Sequence, residues 1–559
     1  LFSNAQFGSG DAGNIFIKSP VVDIGEGGAV IAISFPSSTG NSGDVLLEVD
    51  RLQLTNGGEM NTSTVGQGTG GALTIRGMNG PDSQSNLVFF SGTDTSNGPS
   101  ALIANALGFG PQAGNAKAIT IQAKRLAIDN GGRVVTRTAG DGDAGDINLH
   151  VDRLELTDGG QIFSGTGSLE NGRFTGTGGP GNGGDLNIKA AESIHISGQD
   201  QQGFLSGLFS NAQFGSGDAG DLTISTPHLT LNGGLILASS EVGSSGKAGS
   251  IMIDSETTSI MNAGTISVAS SGGGASGSIT LHNSDTFLSE SGTISAKVST
   301  GKQPGGNIFI SAGQGILLRK DAHITAESSG LGNAGNITLT ANDSILINRG
   351  RITTQANLAS GGNITLQATE KIQLLDSTIA SSVQGDATTA GGDINIDPDF
   401  IILQNSQILA KAIAGQGGNI SLTANKAVLV DSFSSLDASS ELGISGSINI
   451  RSPIQNLSST IAPLPREPAP VTALYGSRCV AGAEGNFSTF VDSKTDTLPP
   501  TPGVFLASPL LLLSQQSTLR ARNSESTLSV ESELEHHWKI PWQVVDAPVM
   551  DQQLCDQKN

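Results

Sequence analysis

Cysteine is nearly absent: the 559 residues contain two, Cys479 and Cys555, both in the last fifth of the chain. A disulfide framework of the kind that holds small secreted domains together is therefore excluded for everything before Cys479. Aromatic residues make up 4% and charged residues 14%, the latter against about 25% in ordinary globular proteins. No apolar stretch reaches the 18 or so residues of a membrane-spanning helix; Leu510 to Leu513 is far too short. Basic clusters are missing as well. Lys and Arg number 29 against 50 Asp and Glu, a formal net charge of −21 spread thinly along the chain. That distribution excludes nucleic-acid binding through a concentrated basic face. It fits an acidic, soluble exterior. No signal-peptide pattern opens the chain, which begins at Leu1 and reads as a processed product or fragment.

What the chain has is glycine, 77 of them, together with Ser, Thr and Asn and a moderate apolar share. Disorder needs low hydrophobicity joined to high net charge, so an ordered chain is expected. One motif recurs: Gly, then Asn, Asp or Ser, then an alternating strand. It begins at Gly249, Gly277, Gly306, Gly335, Gly362, Gly392, Gly418 and Gly446, spaced by 26 to 30 residues. Earlier copies begin at Gly13, Gly43, Gly71, Gly145, Gly184 and Gly220, with a degraded copy at Lys117. In the unit at Gly335 three short alternating segments follow one another, Asn336 to Thr340, Ser344 to Ile347 and Arg351 to Thr354. Period-two alternation of branched residues means half-buried strands. The separators carry Gly, Asn, Asp and Ser, which tolerate the positive φ of tight turns. The prediction is an all-β fold, a right-handed parallel β-helix of about 28 residues and three strands per coil, with a small irregular C-terminal region. Fifteen units stacked at about 4.8 Å give a rod of roughly 70 Å. Propellers and leucine-rich repeats fail on strand number and leucine spacing.

Surplus residues in a solenoid leave the coil as loops. Three long spacings predict insertions near 77–112, 161–183 and 199–216. Their aromatic residues Phe89, Phe90, Phe109, Phe163, Phe174, Phe204 and Phe209 are the candidate binding platforms, with rings folded back over the shaft as the alternative. The stretch Leu1 to Gly13 repeats Leu208 to Gly220 residue for residue. The chain therefore opens inside a turn, and a native continuation upstream into a cap is expected. The shaft is placed at 1–452, followed by a proline-rich linker at 453–473. Residues 474–559 form a separate region that could cap the last coil; Ser524 to His537 is its helix candidate. A Cys479–Cys555 disulfide is compatible with the sequence, as are two free thiols.

Chemical motifs fail in turn. Gly8 to Gly13 matches a dinucleotide fingerprint, but a strand follows where a helix is required. No nucleophile elbow or phosphate loop occurs. His536 and His537 have no cysteine at metal-ligand spacing. Asp141, Asp143 and Asp146 are a candidate calcium group, with turn capping as the competing role. Asp376, Asp397 and Asp399 are the nearest approach to a carboxylate group. No cofactor, metal or catalytic residue is nominated.

The Gly-Asn-Ile-Thr-Leu units between Gly249 and Ile450 resemble the shaft of filamentous haemagglutinin-type exoproteins exported by two-partner secretion, the long cyanobacterial members above all. Ser477-Arg478-Cys479, Phe487 to Phe490 and Leu498-Pro499-Pro500 are similar to the C-terminal part of that family. Lys494 to Thr497 stands where a Gly-Arg-Gly-Gly run is usual, and the Asn-Pro-Asn motifs of the secretion domain are absent. The resemblance implies an outer-membrane barrel transporter as partner, folding during export, a secreted or cell-surface location and adhesion to glycans or other cells. The leading expectation is thus a structural or adhesive exoprotein without catalytic activity. A β-helix carbohydrate-active enzyme, lyase or glycosidase, needs a groove with paired carboxylates. A decayed, non-functional fragment is the third reading.

Overall fold

The computed structural model describes residues 1–94, 98–110, 112–167, 169–170, 173–174 and 178–457. Every regular element among them is a β-strand. The chain winds as a parallel β-solenoid of about 15 turns, with equivalent positions roughly 29 residues apart. We number the coils by their first inward residue, from Ile15 in coil 1 to Ile448 in coil 15.

The inward positions stay in register along the coils, apart from a shift at the corner of coil 6, where Val151 pairs with Ala190 and Arg153 with Ser193. Ile279 pairs with Ile308, Ile308 with Ile337, Ile337 with Ile364, Ile364 with Ile394 and Ile394 with Ile420. Such ladders fill the interior: Ile308, Ile337, Ile364, Leu339, Leu366, Ile345 and Ile372 are wholly buried. A one-residue slip would turn each ladder out to solvent, so burial itself fixes the register. A second, 14-stranded sheet runs the length of the solenoid, from Ala29–Ile31 in coil 1 to Ser435–Asp437 in coil 14. Its inward ladder includes Leu102, Val134, Ile162, Leu208, Ile236 and Ile266.

Three strands per coil holds from coil 9 to coil 14. In most earlier coils the first two run together as one bent strand of 11 or 12 residues, as in Val45–Thr55 and Leu222–Asn232. Corner length does not decide this: six residues lead from Ile188 to Ile194 within one strand, and five from Ile396 to Ile401 across a break.

The repeated glycine is needed for closeness, not for positive φ. A Cβ on Gly335 would lie 2.0 Å from the carbonyl oxygen of Gly306, and one on Gly362 would lie 1.9 Å from that of Gly335. Positive φ falls instead on the corner after the second strand, at Asn56, Asn130, Asp158, Asn262, Arg349, Asp376 and Asn405. Asn and Asp suit that corner because their short polar side chains tolerate the left-handed region. The residue after each glycine bridges coils: the Asn307 Oδ1 accepts the N–H of Asn336 (2.9 Å), the Asn336 Oδ1 that of Asn363 (2.8 Å), and the Asn363 Oδ1 that of Asp393 (2.9 Å).

The shaft extends past the expected boundary at Ser452. Ile454–Leu457 pairs with Ala427–Val430 as the second strand of coil 15, so the first residues assigned to the linker belong to the solenoid. Pro453 sits in the bend before that strand, where no ladder N–H is required. The remainder of the linker, the region 474–559, its helix candidate and both cysteines lie outside the described residues.

Candidate functional site

The windows expected to be loops contain strands. Ser85–Ser91, with Leu87, Val88, Phe89 and Phe90, is the second strand of coil 3 and pairs with both neighbouring coils. Gln161–Thr166 and Gly207–Asn211 belong to the second sheet. The true insertions are shorter, near 77–84, 92–100, 167–183 and 198–206. The candidate platforms follow suit. Phe90 and Phe209 are fully buried, Phe163 and Phe204 nearly so, and Phe89 is half-buried. Phe109 alone among the described candidate rings is well exposed, at 71%. Phe174 lies in an antiparallel pair with Leu169–Glu170, and its side chain is outside the described atoms.

Phe163 and Phe209 are buried for a reason the inward ladders do not supply. Their neighbours Ile162 and Leu208 point into the core, so these rings point away from it. Together with Ala101, Ile103, Val135, Leu235 and Leu237 they form a second apolar cluster on the outer face of the second sheet in coils 3–7, with Leu205 packed against it. The insertion at 198–206 is braced by Asp200, whose Oδ1 accepts the N–H of Gln202 (2.9 Å) and of Phe204 (2.8 Å). Arg133 lies fully buried on the same face. Burial pushes its guanidinium down to about 10, and the Asp200 carboxylate opposes the shift.

The aspartates at 141, 143 and 146 act as bridges between segments. Asp141 accepts the N–H of Gly110, Asp143 that of Asn182 and Asp146 that of Asp185. No group of three or more His, Cys, Asp or Glu among the described residues is placed to hold a metal ion. Asp376 and Asp399 do not meet either. Phe400 is level with Lys371, so Asp399 and Asp376 flank opposite ends of the second strand, about 20 Å apart over six residues. Asp399 pairs with Lys426 at 2.7 Å, and hydrogen bonds from Lys426 and Asn425 hold its carboxyl below the usual range.

Asp376 has other company. A surface cleft of about 240 Å³ crosses coils 10–12, lined by Asp321, His323, Arg349, Gly350, Arg351, Asp376 and Thr378. The sequence hides it, because its residues come from three successive turns about 27 residues apart. The corner after the second strand supplies Asp321, Arg349 and Asp376, each with positive φ. The start of the second-sheet strand supplies His323, Arg351 and Thr378. Gly350 forms the floor, where a Cβ would come within 2.7 Å of Ile347. The Asp376 Oδ1 accepts a hydrogen bond from the Asn405 side-chain amide (2.7 Å). His323 Nε2 lies 3.2 Å from the Thr353 hydroxyl. Burial lowers the imidazole pKa first of all; Glu327 opposes that, and Arg351 and Lys297 reinforce it. The ring is therefore neutral at neutral pH.

Comparison with protein-family models, with curated proteins and with solved structures gives no match.

Proposed function

We propose that the chain is the shaft of a structural, adhesive exoprotein of the filamentous haemagglutinin type, acting outside the cell as a stiff spacer and contact surface without catalysing a reaction. The observation that carries this reading is the sustained register of the inward ladders. In a solenoid each coil contacts only its neighbours, so uniform ladders make a rod whose stiffness is shared along its length. A rod separates whatever lies at its two ends and offers long polar faces between them. On this reading the chain reaches the exterior through an outer-membrane barrel transporter, and its targets are glycans or cell surfaces.

The test is attachment. Cells or beads coated with the full chain are expected to adhere to target cells, and soluble chain to compete with them. Coated beads that attach no better than uncoated ones would remove the adhesive part of the reading. The carbohydrate-active alternative rests on Asp321 and Asp376. Two coils apart, they are separated by about 10 Å from the strand spacing, just beyond the 6.5–9.5 Å or so of inverting glycosidases. Release of new sugar ends from a polysaccharide, lost in Asp376→Asn, would replace the adhesive reading by that one.

A further inference from the structure

The cleft over coils 10–12 has an unusual balance of charge. Around it the cations are already engaged: Lys320 and Arg319 pair with Glu290 at 3.0 and 3.5 Å, and Lys297 with Glu327 at 3.8 Å. Inside it two guanidiniums, Arg349 and Arg351, face two carboxylates, Asp321 and Asp376. Neither guanidinium is ion-paired to a described carboxylate. The formal charges cancel, and burial lowers the pKa of the fifth titratable group, His323.

We propose that this cleft binds an uncharged saccharide unit, one ring of a neutral glycan whose chain lies along the outer face of the second sheet. Three observations carry the assignment. The lining alternates strong donors with strong acceptors. Arginine offers a planar fork of N–H groups and accepts nothing, whereas an ionised aspartate only accepts. A sugar hydroxyl both donates and accepts, so adjacent hydroxyls can satisfy a guanidinium and a carboxylate together, through charge-assisted bonds. The cancellation then selects among ligands. A sulfate or uronate would lie beside Asp321 and Asp376 within a chain of net charge −21, and an ammonium would lie beside two guanidiniums. Specificity comes as much from these repulsions as from the attractive contacts. Size gives the third argument. At about 240 Å³ the cleft is smaller than the 300–1,000 Å³ or so of drug-sized pockets, and it suits a single ring.

Its neighbourhood suits the rest of such a chain. The accessible outer positions in the coils on either side are Thr293 and Ser295 before it and Gln407 after it. The Asp376 Oδ1 is occupied by Asn405, which orients the carboxylate and leaves Oδ2 to the ligand. No aromatic ring lines the cleft, so affinity rests on hydrogen bonds and multivalent display raises the signal.

The assignment rests on the adhesive reading only in supposing that a glycan is the natural ligand, and one experiment separates the two. The full labelled chain is applied to an array of neutral hexose and N-acetylhexosamine oligosaccharides beside uronate-bearing and sulfated ones. Neutral members are expected to retain it. Arg351→Gln and Asp376→Asn should each weaken the best neutral signal by about tenfold or more, equal to about 1.4 kcal/mol. Lys426→Gln, an exposed cation on another face of coil 14, should leave it unchanged. Asn at 376 keeps the left-handed corner, and far-UV circular dichroism of each variant reports that the coils are intact. Retention confined to acidic glycans overturns the ligand class. Neutral retention unchanged in both cleft variants, or no retention at all, overturns the site. Cell attachment that persists when array binding is lost removes the cleft from adhesion and leaves the adhesive reading standing. Array binding without any cell attachment does the reverse.

Discussion

The outer face of the second sheet is two different surfaces on one ladder. In coils 3–7 it carries Ile103, Val135, Phe163, Phe209 and Leu237, all nearly buried, with Arg133 sunk among them. The positions two residues earlier on that face are Ala101, Arg133, Gln161, Gly207 and Leu235, also buried, and in coils 9–13 their register partners are Thr293, His323, Arg351, Thr378 and Gln407, half-buried or open. The backbone pairing is the same in both. What differs is the length of the connections, because the long insertions all belong to coils 3, 5 and 6. Where the connections are long, the sheet has apolar faces on both sides, as sheets buried on both faces do. Where they are short, one face is free to meet a ligand. A repeat can thus change from core to surface without changing its strand geometry.

Substitutions can break or sharpen this contrast. The largest effect is expected at Phe209→Ala, about 3–5 kcal/mol as for other buried aromatic truncations, read as loss of amide-exchange protection in coils 5–7. Ser295→Ala, in register with Phe209 but half-buried in coil 9, should cost less than about 1 kcal/mol; equal losses would show that the covered face adds nothing. Next comes the feature both regions share. Gly184→Ala and Gly335→Ala each drive a Cβ to within 2.1 Å of backbone in the coil before, and each should cost about 3 kcal/mol. A marked inequality between them would mean that the insertions alter the close approach as well as the outer face.

Acid titration should reveal a smaller difference. Burial pushes the Glu241 carboxyl up to about 7. Glu59 is also raised by burial, and Asp185 by burial and then by the Asp146 and Asp221 carboxylates of adjacent coils. A raised carboxyl favours the folded coil while protonated, so its contribution is whole below the usual carboxyl range and is lost as pH rises through 7. The melting temperature is therefore expected to be higher at pH 5 than at pH 8. Glu241 should account for about 2 kcal/mol of that, removed in Glu241→Gln. A pH profile unchanged by that substitution would count against the burial of Glu241. Smallest of all, Asn336→Ala removes the acceptor for the Asn363 N–H and should cost about 1 kcal/mol, measured by exchange at Asn363.

The coil, its period and its inward ladders were legible because every unit repeats the same alternation, as in Ile337-Thr338-Leu339 and Ile364-Thr365-Leu366. The covered face was not, although a signal existed. Val134-Val135, Ile162-Phe163, Leu208-Phe209 and Ile236-Leu237 are apolar pairs that break the period of two, and they fall among the coils with long connections. Taken as aromatics on loops, Phe163 and Phe209 looked available for binding; in the second sheet they are packing. The cleft escaped because Asp321, Arg349 and Asp376 are unremarkable in their own turns. Only stacking brings them together; proximity in sequence groups Asp376 with Asp397 and Asp399 instead, and Asp399 lies at the far end of the second strand.

One row of side-chain bridges between coils points a single way. At the position after each repeat glycine, the earlier coil provides the acceptor and the later coil the N–H, through Asn307, Asn336, Asn363, Asp393 and Asn419. Along this row the solenoid has a chemical polarity. Its C-terminal growing edge presents oriented acceptors waiting for the next turn, whereas the opposite edge presents donors that must wait for a template. A chain emerging N-terminus first meets its acceptors already in place, so each finished coil serves as the mould for the one that follows.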